Sequence, residues 1–348
     1  MLHPVANGRY AFPAAGRVTG TIDRCPGRTD MIAISSFPGS GIASRRRRLF
    51  LRSLATAGLG AALWPAVGAA ADDGILARAI PSSGERLPVV GLGSWITFNV
   101  GEDRAARAAC AEVMRNFFDA GGRLIDSSPM YGSSQEVIGD GLRRLGTSVA
   151  AFCADKVWIA SGARGAAQVE ESRRRWNVAR FDLLQVHNLL SWQEHLPMLF
   201  DMKAAGRLRY VGITTSEGRR HHDVEQIMRS QPVDFVQVTY NLIDREAEAR
   251  ILPLARDRGM AVIINRPFQQ GALIDDVGRH PLPAWAAEVG AATWAQFLLK
   301  FIVSHPAVTC VIPATTRVSH VRENIGAARG VVPDEAMRRR MVAHVERL

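Results

Sequence analysis

The chain has 348 residues, long enough for one large domain, and its 47% hydrophobic and 22% charged residues are typical of a globular protein. The formal net charge is +10, but residues 1–71 carry nine arginines against two aspartates, a net of +7, which leaves +3 for residues 72–348. The basicity belongs mainly to the N-terminal segment, so we expect no nucleic-acid partner.

The N-terminal segment reads as an export signal. Residues 47–52 are Arg-Arg-Leu-Phe-Leu-Arg, which resembles the bacterial twin-arginine signal Arg-Arg-x-Phe-Leu-Lys. A mildly apolar run over 53–71 ends in three alanines before Asp72 and Asp73, a small-residue cleavage pattern followed by acid. We predict a leader over 1–71, recognised by the twin-arginine export machinery, and a periplasmic or exported protein over 72–348.

Two alternatives concern this leader. Met31 is a second candidate start, because it gives the signal a normal short N-terminal region. The apolar run is otherwise interpreted as an uncleaved membrane anchor, but Gly58, Gly60, Pro65 and Gly68 make a poor spanning helix. We therefore expect no stable membrane span after cleavage.

Residues 72–348 alternate short apolar runs with longer amphipathic stretches, a pattern that predicts parallel strands joined by helical crossovers. The apolar runs lie at 89–94, 124–127, 151–157, 182–188, 209–215, 234–241, 261–268 and 308–315. The helical patterns lie at 103–120, 134–145, 165–177, 193–205, 222–230, 245–258, 294–304 and 318–329. Eight such units predict a single-domain α/β protein, a (β/α)8 TIM barrel. A doubly wound sheet is the alternative, but no GxGxxG follows the first strand.

Three segments lie outside the eight units. Residues 79–88 predict a small hairpin closing the bottom of the barrel, and 333–347 a last helix. The long connection 274–292 is a candidate cover for the barrel mouth. The cysteines show neither a CxxC nor a metal-ligand spacing, so we interpret those of the barrel, Cys110, Cys153 and Cys310, as buried structural thiols.

Polar residues end several of the predicted strands, where a barrel carries its chemistry. Asp126 ends the second apolar run, Lys156 the third and His187 the fourth, and Tyr131 follows Asp126 by five residues. Lys156 lies within an apolar run, where an unpaired ammonium is costly, and Asp126 on the neighbouring strand is its candidate anion. The sequence therefore places four polar side chains in one pocket.

The segments around these residues resemble the aldo-keto reductase family over about residues 78–347. The stretch 122–132, GRLIDSSPMYG, resembles the signature around the family's Asp and Tyr, and Gln135 follows it where Glu is usual. Residues 154–157 (ADKV) resemble the Lys strand, 182–187 (DLLQVH) the His strand, and 312–317 (IPATTR) the motif that binds the cofactor phosphate.

The resemblance implies a nicotinamide-dependent oxidoreductase that reduces an aldehyde or ketone carbonyl to an alcohol, without a metal. Tyr131 donates the proton, and Lys156 beside it lowers the pKa of the phenol, which is ordinarily about 10. Asp126 keeps Lys156 charged and oriented. His187 hydrogen-bonds the carbonyl oxygen and fixes its direction.

The implied cofactor is NADPH, with NADH as the alternative, because Arg317 stands where it can meet a 2′-phosphate. Thr214 and Thr215 depart from the family's usual Ser-Asn, and Asn265 replaces the aromatic residue that stacks on nicotinamide in many members. Arg266 is a candidate for the pyrophosphate. The implied cofactor-binding residues are Asn188, Thr214, Thr215, Gln237, Asn265, Arg266, Thr315, Arg317, Glu323 and Asn324.

The substrate is a small carbonyl compound, and Trp95 and Trp192 are candidate pocket walls that favour an apolar or aromatic one. Two rival functions remain open. The departures at the nicotinamide positions are compatible with a non-catalytic nicotinamide-binding redox sensor or subunit. A barrel lyase or isomerase using Lys156 as a Schiff base gives Tyr131 and His187 different roles.

Overall fold

The computed structural model describes residues 74–146 and 150–348, and the predicted leader lies outside them. The described chain opens with an antiparallel hairpin of β1 (Ala77–Ala79) and β2 (Arg86–Pro88), as predicted. Its turn reaches the amino ends of the barrel strands, because the Tyr210 hydroxyl donates to Ser83 Oγ at 2.7 Å and Arg123 pairs with Glu85 at 3.1 Å. The hairpin therefore closes the bottom of the barrel.

Eight parallel strands form the barrel. Each pairs in parallel with the next along the chain, and bridges from Val90 to Val311 and from Gly93 to Ala314 join the first strand to the last. The predicted (β/α)8 fold is thereby confirmed. The strands are β3 (Leu92–Gly93), β4 (Leu124–Asp126), β5 (Phe152–Val157), β6 (Phe181–His187), β7 (Leu208–Thr214), β8 (Phe235–Thr239), β9 (Ala261–Asn265) and β10 (Cys310–Val311).

Helices connect the strands and surround the barrel. Several begin at a capping side chain, as where Asp103 accepts hydrogen bonds from the amides of Ala105 and Ala106. Within the described residues, no helix is long and apolar enough to cross a membrane. The helices are α1 (Arg104–Asp119), α2 (Ser134–Leu145), α3 (Gly165–Trp176), α4 (Trp192–Ala204), α5 (His221–Ser230), α6 (Ile251–Asp257), α7 (Ala272–Val277), α8 (Trp294–Ser304), α9 (Val318–Gly326) and α10 (Glu335–Val345).

One helix is shorter than its sequence pattern predicts. Instead of a helix over 245–258, a 3-10 turn over Glu246–Glu248 precedes α6. Arg250 interrupts the two with φ −141° and ψ −44°, outside helical geometry. Pro253 then falls in the first turn of α6, where its missing N–H is tolerated. A helix begun at 245 would place this proline in its interior.

The barrel separates two layers of apolar packing, because successive strand residues point to opposite faces. Buried side chains of the strands fill the interior together with two of the hairpin, Ile80 and Leu87. The larger layer packs the outer strand faces against the helices. Cys110, Cys153 and Cys310 are buried and unbridged, and burial raises the pKa of the Cys110 thiol to about 11, as expected of structural thiols.

The connection over 274–292 packs against helices of the outer layer. It contains the end of α7 and a 3-10 turn over Ala284–Val289. The centre of the Trp285 ring lies 5.5 Å from that of Phe297 on α8 and 5.6 Å from that of His344 on α10. Its role as a cover of the mouth stays a prediction.

Candidate active site

The site is built around a buried ion pair between two neighbouring strands. Asp126 ends β4, and Lys156 lies one residue before the end of β5. Lys156 Nζ donates to Asp126 Oδ2 at 2.5 Å and to the Ser127 carbonyl at 2.7 Å. Both residues are at most 2% exposed. The predicted pairing is present, and it supplies the anion that a buried ammonium requires.

Tyr131 and His187 complete the cluster. Lys156 Nζ lies 5.1 Å from the centre of the half-buried Tyr131 ring. The Tyr131 and His187 rings meet edge to face, with centres 5.8 Å apart. The structure therefore brings together the four side chains that the sequence placed in one pocket, from three adjacent strand ends.

The electrostatics of the cluster follow from burial and this pairing. Burial disfavours the charge on Lys156, but Asp126 and Tyr131 outweigh it and raise the lysine pKa above its ordinary value. Burial also raises the pKa of Tyr131, although Lys156 acts in the opposite direction. The lowering effect expected of Lys156 is thus present, while the net direction in the free protein is upward. Tyr131 is protonated at neutral pH and ready to donate.

The second oxygen of Asp126, Oδ1, accepts hydrogen bonds from two side-chain amides. Gln237 Nε2 on β8 donates to Asp126 Oδ1 at 3.0 Å, and Gln185 Nε2 on β6 does so at 3.4 Å. Gln237 Oε1 in turn accepts from Thr214 Oγ1 at 3.1 Å. Gln237, which was predicted to bind the nicotinamide amide, thus donates to the carboxylate that pairs with Lys156. Sequence reasoning missed Gln185, although it lies two residues before His187 and so on the same strand face.

Asn265 lies beside the two threonines at the end of β7, of which Thr214 ends the strand and Thr215 follows it. Its Nδ2 donates to the Thr215 carbonyl at 2.9 Å, and its Oδ1 accepts from Thr239 Oγ1 at 2.7 Å. Thr214, Thr215, Gln237 and Asn265 thus form one continuous set across β7, β8 and β9. Hydrogen bonds fix Asn265 where an aromatic ring was expected from the family resemblance.

Two predicted cofactor residues are engaged by other groups. Asn188 directly follows β6, and its carbonyl accepts from Arg220 Nη1 at 3.0 Å. Arg266 forms an ion pair with Glu217 across the loops that follow β9 and β7. A cofactor pyrophosphate has to compete with Glu217 for this guanidinium.

The four residues predicted for the adenosine end lie just before α9 or within it, because Thr315 and Arg317 precede the helix and Glu323 and Asn324 belong to its second half. Thr315 Oγ1 accepts from the Arg317 amide at 3.0 Å, and Arg317 is the exposed residue that caps the helix. Glu323 is half-buried and Asn324 is buried on the same helix. The first free amides of a helix and an exposed arginine together favour an anion.

Large apolar side chains follow several strand ends. Trp95 lies two residues after the end of β3 and is 37% exposed. Trp192, the first residue of α4, is partly buried and packs against the core. Met130 in the loop after β4 and Trp158 after β5 are also exposed, at 38% and 40%. Sequence reasoning missed Met130 and Trp158, although both occupy the loops that carry barrel active sites.

Backbone strain also concentrates at this end of the barrel. Among the described residues, ten that are not glycine have a positive φ, and all but Asn177 lie in loops that follow strands β3, β6, β7 or β9. Ile96 is the most costly, because a β-branched residue at φ 64° is a steric outlier. Such strain is typical of ligand-binding loops. The residues with positive φ in these loops are Ile96, Asn188, Leu189, Ser191, Glu217, Arg220, Arg266, Gln269 and Gln270.

A nicotinamide cofactor fits these residues. The Thr215 hydroxyl is buried and has no hydrogen-bond partner in the part of the chain described, although buried polar atoms are nearly always paired. Thr215 directly follows β7 and lies next to Gln237, whose backbone carbonyl accepts from the Thr215 amide at 3.0 Å. A carboxamide bound here can satisfy that hydroxyl.

Comparisons with known proteins agree with this arrangement. A family model described as the aldo/keto reductase family matches residues 89–343. The methylglyoxal reductase YeaE of Escherichia coli is 29% identical over 245 residues, which cover 68% of this chain and 84% of that protein. An NADH-specific methylglyoxal reductase of the same organism is 25% identical over 233 residues, 57% of this chain and 68% of that protein.

Solved structures give the same result. An aldo-keto reductase from Klebsiella pneumoniae in complex with NADPH superposes with a TM-score of 0.65 at 26% identity. The match covers 79% of this chain and 95% of that one. The barrel fold is thus shared with a structure that was solved with NADPH bound.

Proposed function

The chain belongs to the aldo/keto reductase family, and from that premise we propose that it reduces aldehyde or ketone carbonyls to alcohols with NADPH, NADH being the alternative. The observation that carries the proposal is the buried Asp126–Lys156 pair, 2.5 Å long, beside Tyr131 and His187. A proton donor, a cation that stabilises the resulting phenolate and a second polar ring converge at one strand-end pocket.

Each residue has a separate task in the reaction. When bound, the reduced nicotinamide supplies the hydride to the carbonyl carbon. Tyr131 donates its hydroxyl proton to the carbonyl oxygen, and Lys156 stabilises the negative charge left on the phenol. Asp126 holds Lys156 charged. His187 orients the carbonyl oxygen by a hydrogen bond.

When bound, the cofactor would be held by residues at or after the ends of β6, β7 and β9, by Gln237 of β8, and by residues before and within α9. The carboxamide end would contact Thr214, Thr215, Gln237, Asn188 and Asn265, and Arg266 would bind the pyrophosphate. The adenosine end would be held by four residues before and within α9, namely Thr315, Arg317, Glu323 and Asn324. The exposed guanidinium of Arg317 favours a 2′-phosphate and hence NADPH, as in the Klebsiella pneumoniae complex.

The exposed Trp95, Met130 and Trp158 favour an apolar or aromatic carbonyl substrate. Methylglyoxal, the substrate named for two relatives, is the small alternative. Turnover of benzaldehyde and of methylglyoxal under the same conditions distinguishes these substrates. We expect a higher kcat/KM for the aromatic aldehyde.

Tyr131→Phe tests the chemistry directly. We expect roughly a 10²- to 10⁴-fold loss of turnover, because the general acid is removed, with NADPH binding retained in a fluorescence titration. The matched control is Tyr210→Phe, since Tyr210 contacts Ser83 and Glu85 of the hairpin at the other end of the barrel. Equal turnover in native and Tyr131→Phe proteins contradicts the proposed mechanism.

A redox sensor or subunit is the second candidate function. It is favoured by Gln237, which is engaged by Asp126, and by Asn265 in place of an aromatic ring. Binding of NADPH without turnover of any carbonyl compound supports this candidate. Covalent trapping of Lys156 by borohydride with a carbonyl substrate supports a Schiff-base enzyme instead.

We also propose that the protein is exported and periplasmic. The support is the sequence Arg-Arg-Leu-Phe-Leu-Arg at 47–52 with the apolar run and small residues after it. Replacing Arg47 and Arg48 together by lysine is expected to retain the protein in the cytoplasm of a bacterial host. Fractionation of both versions tests this, and equal export contradicts a twin-arginine route.

A further inference from the structure

A buried hydrogen bond joins the loop that carries Tyr131 to the strand that carries His187. Ser128 lies in that loop, between Asp126 and Tyr131, and its Oγ is 2.8 Å from His187 Nδ1. Ser128 is 0% exposed and His187 is 6% exposed. The contact leaves the other ring nitrogen of His187, Nε2, for the substrate.

The partners of the serine hydroxyl indicate its direction. A hydroxyl has one proton to donate and two lone pairs with which to accept. The Met130 amide already donates to Ser128 Oγ at 3.3 Å. Among residues 74–146 and 150–348, His187 Nδ1 is the acceptor recorded for the hydroxyl proton. These partners favour donation from Ser128 Oγ to His187 Nδ1.

We infer that Ser128 is a positioning residue that fixes the neutral tautomer and the ring orientation of His187, with the ring proton on Nε2. The inference rests on the proposed carbonyl reduction and adds to it the residue that orients the His187 ring. With the proton on Nε2, the ring donates a hydrogen bond to the carbonyl oxygen. In the other tautomer a nitrogen lone pair faces that oxygen and repels it.

The charge state of His187 makes this assignment matter. Burial and the positive charge of Lys156 hold the pKa of His187 well below its usual range, so the ring is neutral at pH 7. A charged ring donates from both nitrogens and needs no selection. A neutral ring has one proton, and the hydrogen bond to the other nitrogen decides where it lies.

Ser128→Ala tests the inference kinetically. We expect kcat to fall about tenfold, the effect of one lost hydrogen bond to an oriented group, while the Kd for NADPH stays within about twofold. Ser128→Thr keeps the hydroxyl and is expected to restore most of kcat. The matched control is Ser172→Ala. Ser172 lies on α3, is also a buried serine, and its hydroxyl accepts a hydrogen bond from Gln135 Nε2 at 2.9 Å.

Nitrogen NMR gives a readout that a purely structural role of Ser128 does not move. In protein labelled with ¹⁵N-histidine, the His187 signals are assigned by their absence from His187→Gln. We expect an unprotonated, hydrogen-bonded Nδ1 and a protonated Nε2 in the native protein. In Ser128→Ala the Nδ1 signal should shift towards that of an unbonded ring nitrogen or of a mixture of tautomers.

The outcomes separate this inference from the proposed function. A protonated Nδ1 in the native protein, or Ser128→Ala with native shifts and native kcat, overturns the role of Ser128. Loss of kcat in Ser172→Ala equal to that in Ser128→Ala also overturns it. Absence of carbonyl reduction by the native protein overturns the proposed function, and the nitrogen shifts then still decide the state of His187.

Discussion

Two successive residues of β5 are both buried, yet their surroundings differ. Lys156 faces the catalytic cluster and donates to Asp126 and to the Ser127 carbonyl. Asp155 is 0% exposed and bonds through Oδ2 to Gln135 Nε2 of α2, at 2.7 Å. Its other oxygen has no hydrogen-bond partner in the described part of the chain. One strand thus carries a paired charge next to a carboxyl group that lacks a counterion at hydrogen-bond distance.

The difference shows how surroundings set a protonation state. Pairing with Asp126 and Tyr131 overcomes burial at Lys156, so its pKa rises and the ammonium persists. At Asp155 burial outweighs the help from Lys156 and Gln135, and it raises the pKa to about 7. The active site therefore keeps its charge because the charge is paired, whereas the carboxyl between the barrel and its helices is partly neutral near pH 7.

Removing the positive charge of Lys156 is expected to have the largest effect. Lys156→Met leaves the Asp126 carboxylate buried with only amide donors, and we expect a loss of about 3 kcal/mol in the free energy of unfolding, together with loss of turnover. Urea denaturation at pH 7 measures the first. The control is Arg115→Met, because Arg115 and Glu112 pair at 3.3 Å on α1 with both side chains about half exposed, and we expect a loss of about 1 kcal/mol or less. Equal losses in the two variants contradict the account.

Adding a second carboxyl group next to Asp155 tests the contrast between Lys156 and Asp155 further. In Gln135→Glu, two acidic groups share a buried site and the amide donor to Asp155 is lost. We expect the variant to lose about 2 kcal/mol of unfolding free energy at pH 8 and less at pH 5, where protons are shared between the two groups.

Gln226→Glu is the control for this substitution, because it adds the same charge at an exposed position of α5 and should change stability by about 0.5 kcal/mol or less. A loss in Gln135→Glu that does not depend on pH points to packing rather than to charge.

The same two residues show what the sequence can predict. The pair of Asp126 with Lys156 was predictable, because neighbouring strand ends meet at one edge of a barrel and a buried lysine needs an anion. The partner of Asp155 was not, since Gln135 comes from a helix whose rotation about its axis the apolar pattern fixes only coarsely. The sequence does show Gln135 in place of the family's usual Glu, and the structure relates it to Asp155.

Other site features also lay beyond the sequence. The Ser128–His187 bond depends on how the loop after β4 folds back, and loop geometry has no periodic signal. The engagement of Gln237 by Asp126 depends on side-chain rotamers across the barrel interior. Strand order, the position of each strand and most helix boundaries follow directly from the hydrophobic pattern, although β3, β9 and β10 are shorter than their apolar runs. The helix α6 is shorter than predicted because of the backbone break at Arg250 and the proline in its first turn.

Asp155→Asn is the smallest expected effect and the most direct test of the buried carboxyl. The pKa of an aspartate in the unfolded chain is about 3.9, and that of Asp155 in the folded protein is about 7. The folded state therefore holds its proton over a range in which the unfolded state has lost it. Its contribution is fully present below pH 4 and is lost as the pH rises to about 7. Across this window we expect this group's contribution to native stability to fall by about 3 to 4 kcal/mol, since each of roughly three pKa units corresponds to about 1.4 kcal/mol.

Asparagine keeps the shape of the side chain and an oxygen for Gln135, but it carries no charge to bury. The variant should therefore be more stable than the native protein at pH 8, by about 1 kcal/mol, because its amide nitrogen still needs an acceptor and reduces the gain. At pH 5 that gain should disappear, since the native carboxyl is then neutral as well. Unfolding free energies of both proteins at pH 5 and pH 8 measure the effect. A difference between them that is the same at both pH values would show that Asp155 is ionised throughout, and that its surroundings stabilise a charge as effectively as those of Lys156 do.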